Sequence, residues 1–227
     1  MLQSEAGQTL AALARRQRLR AMLLAGGMGI SLSLLLIVDF ILRDLSKIVR
    51  RSLAFPSWLY LICLAITLVI GIWAAILWLR ADSAQEVAIA EARVGQVLSP
   101  LEWQGWQIRY DVWQEQKPHP QIGGHVILVD SPRLVAFMLV VKPQRGRVRW
   151  AGKHLVQWSG KTWRSLDAHL LHKIRQQAIA LQAQTGKSLL IPVLVFAHGR
   201  VEVPHNPLAR VYVVDRKSLV NCLQLLG

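Results

Sequence analysis

Two apolar stretches, residues 21–42 and 58–79, restrict what this chain can fold into more than any other feature. Each is 22 residues long; the first is broken only by Asp39 and the second holds no charged residue. At 1.5 Å per residue a helix of that length reaches about 33 Å, enough to cross a hydrocarbon core of about 30 Å. The pattern predicts an N-terminal transmembrane α-hairpin occupying residues 1–82. Arg15, Arg16, Arg18 and Arg20 precede the first stretch, as they would in a signal peptide. Its apolar region is too long for one, and no small-residue cleavage site follows before Arg43, so a retained span is expected.

Gly26, Gly27, Gly29, Ser31 and Ser33 give the first span a small-residue surface. Small residues let helices approach closely in lipid, where packing drives association. They can serve the hairpin itself or an integral-membrane partner, with Gly26, Gly27, Gly29 and Ser33 as the contact. Asp39 stands four residues before Arg43, a spacing that allows an ion pair at the interface. The connecting loop carries Arg43, Lys47, Arg50 and Arg51, with an apolar side that suits the membrane surface. Both termini share one side, which carries Arg15, Arg16, Arg18, Arg20, Arg80 and Arg93. Six basic residues against four place that side, and the domain that follows, in the cytoplasm.

Composition bears on what remains. The whole chain is 53% hydrophobic and 18% charged, with a formal net charge of +14. Such hydrophobicity excludes a disordered chain, and two cysteines exclude a disulfide-stapled fold. Cys63 and Cys222 have nothing to place them together, and both are expected to be reduced. The C-terminal part is basic in its own right, which favours anionic partners: nucleic acid or acidic lipid headgroups.

Residues 83–227 suffice for one domain with a real core. Val87, Ala90, Val94 and Val97 recur at helical spacing over residues 83–98. Strand-like runs follow at 106–113, 124–129 and 134–142, the last two joined by a turn at Asp130 to Arg133. Residues 147–150 and 155–158 form a further short pair. Leu171, Ile174, Ala178 and Leu181 line one face of a helix over 166–184, stopped by Gly186. Residues 189–197 form a nearly continuous apolar run, as in a parallel strand covered on both faces, with Pro192 near its start. A short strand at 210–214 and a helix presenting Leu219, Cys222 and Leu223, with Asp215 as its cap, complete an α/β domain with a mixed sheet.

The stretch His125-Val-Ile-Leu, a turn, Val-Ala-Phe-Met-Leu-Val-Val-Lys142, then Arg145-Gly-Arg-Val148 resembles the core of the NERD family, the nuclease-related domain. The resemblance extends back to Ala90-Glu-Ala-Arg-Val94 and forward through the glutamine-containing helix, Lys173 to Leu181, and Ile191-Pro-Val-Leu-Val-Phe196. It covers about residues 85–225, and it implies a restriction-endonuclease-like, PD-(D/E)xK fold. In such an enzyme two carboxylates hold a divalent cation and a lysine two residues after the second one stabilises developing charge. Here Gly124 and Val140 stand at the two acid positions. Lys142 and Glu91 remain as vestiges. A charged lysine cannot anchor a metal alone. The resemblance therefore implies the fold and argues against the activity, and no metal or cofactor is expected.

Lys142, Arg145, Arg147 and Arg149 form a basic run with Trp150, Trp158 and Trp163 nearby. Alternation puts the three arginines on one strand face, suited to tracking phosphates over aromatic platforms or to meeting anionic lipid. His169 and His172 lie one turn apart, but no acid or cysteine completes a metal set. The leading expectation is a membrane-anchored, catalytically inactive nuclease-related domain that binds nucleic acid or protein. Two rivals are an active nuclease using Glu91, Asp130 and Lys142, and an accessory subunit of a membrane complex.

Overall fold

The computed structural model describes residues 57–110 and 126–227, together with residues 15, 16, 18–27, 29, 30, 33, 36, 37, 40, 41 and 44. The readings made for Ser31, Asp39, Arg43, the 45–56 loop, Gly124 and His125 lie outside the described residues. The chain divides into two compact units, with the second boundary between Gln85 and Glu86.

In the N-terminal unit, every described residue between 15 and 44 is helical. Helix α1, Ser57–Glu102, is 46 residues long and passes without a break through 82/83, where the sequence suggested a domain boundary. No Gly or Pro occurs between residues 72 and 94 to interrupt it. Among the described residues one helical stretch, Leu64–Glu102, is long and apolar enough to cross a membrane. The large apolar side chains at its start, Leu64, Leu68 and Trp73 among them, are exposed, as are Leu23, Ile30 and Phe40 of the first helix. Arg18 pairs with Asp82 and its guanidinium lies 5.8 Å from the Trp78 ring. A residue just before the first apolar stretch thus meets the end of the second, at Trp78, and the residue Asp82 beyond it.

The C-terminal unit is an α/β domain around a mixed sheet, seven-stranded among the described residues. Its strands are β1 Gln107–Arg109, β2 Val126–Asp130, β3 Ala136–Trp150, β4 Leu155–Trp158, β5 Trp163–Ser165, β6 Leu190–Glu202 and β7 Tyr212–Asp215. Helix α2, Leu170–Thr185, and helix α3, Leu219–Leu226, complete it. Strand β3 is the spine. Its first half lies between β2, antiparallel, and β6, parallel; its second half lies between β4 and β6. β7 extends the parallel part beyond β6. The Asn206 amide donates to the Val213 carbonyl at 2.8 Å and accepts from the Val213 N–H at 3.0 Å, so a side chain satisfies the outer edge of β7.

Alternation explains the layers. Val126, Leu128, Ala136, Met138, Val140, Leu194 and Phe196 form one core with Leu170, Leu171, Ile174, Ala178 and Leu181 of α2. Ile127, Val129, Phe137, Leu139, Val141, Val193 and Val195 form the other with Ala90, Val94, Leu98 and Leu101 of α1 and Leu219 and Leu223 of α3. Strands covered on both faces read as continuous apolar runs, which is why β2, β6 and the first half of β3 stand out in the sequence. Pro192 is the third residue of β6, opposite Met138.

Three expectations need correction. The runs 134–142 and 147–150 are one 15-residue strand, about 50 Å long. β5 is a strand that the sequence reading left out, held in register with β4 from Val156↔Ser165 to Trp158↔Trp163. The helix expected from 166 begins at Leu170, after Asp167 accepts hydrogen bonds from the His169 N–H and the Lys173 ammonium.

Candidate anion-binding face

The site is built where β3 leaves the core. Residues 136–141 are buried, and exposure begins at Lys142. Between Lys142 and Arg145 the register against β6 slips, three steps on β3 spanning two on β6. A bulge of this kind suits Pro143, which has no N–H to donate to a ladder. Beyond it, Arg145, Arg147 and Arg149 stand opposite His198, Arg200 and Glu202 of β6. Val148 and Val201, between them, turn into the α2-side core. The three arginines therefore project from the other face, as their spacing predicted.

Aromatic side chains share that face. Arg149 is paired with Val156, and Trp158 with Trp163. The Arg149 guanidinium lies 4.0 Å from the Trp163 ring centroid, a cation–π contact. Trp158 and Trp163 have centroids 5.5 Å apart, tilted at 54°. Gly146 closes the crossing with β4: it has φ 91°, and a Cβ there would overlap the Trp158 carbonyl oxygen. Gln157 Nε2 donates to the Arg145 carbonyl at 2.7 Å.

Helix α1 and the segment after β7 add to the face. Arg93 Nη1 lies 2.7 Å from His198 Nδ1. The Arg216 N–H donates to the Phe196 carbonyl at 3.3 Å, beside the same end of β6. Burial, then Arg93, Arg145 and Arg216 in turn, holds His198 below its ordinary pKa, opposed by Glu86. Arg200 reaches Glu202 only at 3.8 Å and is 78% exposed. Among the described residues, six guanidiniums thus gather on or beside this face, with Glu86 and Glu202 near them and Glu91 buried beneath α1, which makes it an anion attractor.

Lys142 does not belong to this group. It stands opposite Phe196, on the face covered by α2. Burial pushes its ammonium below the usual lysine range, Asp167 partly restores it, and Lys173 lowers it further. Lys173 and Asp167 pair with each other at 2.6 Å. The basic run thus divides into three arginines on one face and a lysine on the other.

Nor do the candidates for a shifted catalytic site assemble. Glu91 is buried in the stripe of α1 that packs on the opposite face of the sheet from Lys142. Asp130 is paired with Ala136, six residues and about 20 Å along β3 from Lys142. There it bridges Arg109 and Lys187, each at 2.9 Å. Val140 is 0% exposed within the α2-side core. Among the described residues no three His, Cys, Asp or Glu side chains come together in a way that could hold a metal ion.

In the N-terminal unit, Gly26, Gly29, Ile30, Ser33 and Ile37 line a shallow apolar groove of about 440 Å³. No described residue lies within 4 Å of where a Cβ on Gly26, Gly27 or Gly29 would stand. The Ser33 hydroxyl turns back to donate to the Gly29 carbonyl at 2.9 Å.

His198, Arg200 and Arg216 were missed as site residues in the sequence, and Arg93 counted there only toward topology. The partnership of His198 and Arg200 with the β3 arginines depends on parallel pairing of strands 53 residues apart, which local spacing does not encode. Comparison of the chain with family models, curated proteins and solved structures gives no match.

Proposed function

We propose that this chain is a membrane-attached, nuclease-related domain of the restriction-endonuclease-like type that binds nucleic acid without cleaving it. The observation that carries the reading is the face itself: Arg145, Arg147 and Arg149 aligned with His198 and Arg200, with Trp163 beneath Arg149. Guanidiniums at two-residue intervals track a phosphate backbone, and tryptophans offer stacking surfaces that tolerate any base. The absence of cleavage follows from charge. Val140 lies in the core where the family carries an acid, and Lys142 repels a cation rather than holding one.

The test uses the full chain in detergent or nanodiscs with a single-stranded oligonucleotide. Affinity is expected to fall steeply with salt. Replacing Arg145, Arg147 and Arg149 together by Gln should flatten the slope of log affinity against log salt by about 2, from about 0.7 per lost contact. Binding that ignores salt, or no binding at low salt, would sink the reading. Incubation with magnesium or manganese should give no cleavage; cleavage that survives purification and vanishes in Lys142→Ala would refute that half.

The anchor reading completes the picture: two spans, 21–42 and 58–79, with the domain on the cytoplasmic side. The Arg18–Asp82 pair supports a hairpin whose ends meet. A second reading, an accessory subunit of a membrane complex, is favoured by the open groove around Gly26, Gly29 and Ser33. If a partner span fills it, Gly29→Leu should abolish co-purification of a stoichiometric membrane protein from native membranes. Unchanged recovery of such a protein would leave the groove without that role.

A further inference from the structure

We propose that Arg93, Arg145, Arg216 and the Nε2–H of His198 form a site for one phosphate monoester dianion. The inference goes beyond backbone tracking by the strand face, since Arg93, His198 and Arg216 lie outside the 145–149 run. A guanidinium has only donors, so the 2.7 Å contact makes Arg93 Nη1 the donor and His198 Nδ1 the acceptor. The ring proton then sits on Nε2, and the neutral ring has one donor left to offer.

Arg93 comes from α1, Arg145 from the neighbouring position on β3, and Arg216 from the segment that follows β7. Three elements thus converge on one histidine, each bringing a cation close enough to disfavour its protonation, with Glu86 alone in opposition. Like charges gathered around a half-buried ring repel one another unless an anion joins them.

Three guanidiniums and one carboxylate leave two positive charges beside a neutral imidazole. A phosphate monoester carries about −1.5 to −2 near pH 7 and has three acceptor oxygens. A backbone diester carries one negative charge and would leave the cluster half-compensated. Arginine's forked donors suit the monoester's oxygens, and the Nε2–H can take one more.

The experiment titrates the full chain in detergent with inorganic phosphate, using chloride at equal ionic strength as the control. Saturable binding of phosphate is expected, weakened about tenfold or more in Arg93→Gln and in Arg216→Gln, as for loss of a charge-assisted hydrogen bond. Partial recovery is expected in Arg216→Lys. Should those variants misfold, the His198 imidazole resonance of the unmutated chain must still move on phosphate addition. A second arm compares 5′-phosphorylated and 5′-hydroxyl oligonucleotides of one sequence. Preference for the phosphorylated strand identifies a strand end as the source. Phosphate binding without that preference identifies a free phosphate or a small phosphorylated molecule. Phosphate binding with no oligonucleotide binding would remove the strand-face reading and leave this site standing. An unmoved His198 resonance, or phosphate binding indifferent to both substitutions in folded protein, would overturn it.

Discussion

His198 carries the clearest pH signature of any residue on the basic face. Burial and the guanidiniums of Arg93, Arg145 and Arg216 push its pKa below the ordinary value of 6.5, against Glu86. The unfolded chain therefore binds a proton that the folded chain resists. The stability this represents is fully present above pH 6.5 and is lost as the pH falls from there through the folded-state value. Thermal unfolding of the full chain followed from pH 8 to pH 5 should show that decline, and His198→Asn should reduce it. Gly146 offers a test of geometry instead of charge. A side chain there must accept φ 91° and displace the Trp158 carbonyl, so Gly146→Ala should destabilise the domain by about 1–3 kcal/mol. A melting temperature unchanged by the substitution would contradict the crossing of β3 and β4. At this scale the sequence was informative only where one strand's own alternation sufficed. Arg145, Arg147 and Arg149 share a face because they are two apart, whereas Lys142, grouped with them in the sequence, lies before the bulge on the face covered by α2. Nothing local announces that His198 will stand beside Arg145, because a parallel pairing has no turn to fix its register.

At the scale of elements, the apolar runs were legible and their ends were not. β6 was visible as residues 189–197 because both its faces are covered, but it continues to Glu202 along the exposed half of β3. That extension alternates charged and small residues, with no sequence signal to separate it from a loop. β3 read as two strands because Pro143 and Gly146 are ordinary breakers. The bulge absorbs the first and the close crossing with β4 requires the second, so both punctuate a single strand. Helix α1 runs on without a break past Arg80 and Asp82, which mark a change of surroundings and not a change of backbone. Its last turns are core, with Ala90, Val94, Leu98 and Leu101 all fully buried against the sheet. Leu98→Ala should therefore cost about 2–5 kcal/mol in denaturant unfolding of the C-terminal unit. A loss below about 1 kcal/mol would mean that this part of α1 is dispensable to the fold.

At the scale of the molecule, the proposed membrane anchor turns on which side of a bilayer each segment would occupy. Arg18 precedes the first apolar stretch and Asp82 follows the second, and they pair while Arg18 also lies over Trp78. Charged partners with an indole beside them suit a membrane–water interface, where tryptophan is enriched. If both stretches cross, residues 15–20 and 80–85 share one surface and the 43–57 loop must emerge on the other. On the proposed two-span reading, the basic residues near the spans, six against four, predict that the shared surface faces the cytoplasm. Single cysteines at positions 47 and 85, placed in a chain with Cys63 and Cys222 replaced by serine, would test both statements in sealed vesicles of known orientation. An impermeant thiol reagent should label position 47 from the non-cytoplasmic side and position 85 only after the vesicles are opened. Labelling of both positions from one side would remove the second crossing and leave a chain held by a single span. Labelling of position 85 from outside, with position 47 protected, would reverse the orientation and place the arginine face away from cytoplasmic nucleic acid. That outcome would disfavour the nucleic-acid reading while leaving the phosphate site untouched, since a phosphate monoester can be presented on either side.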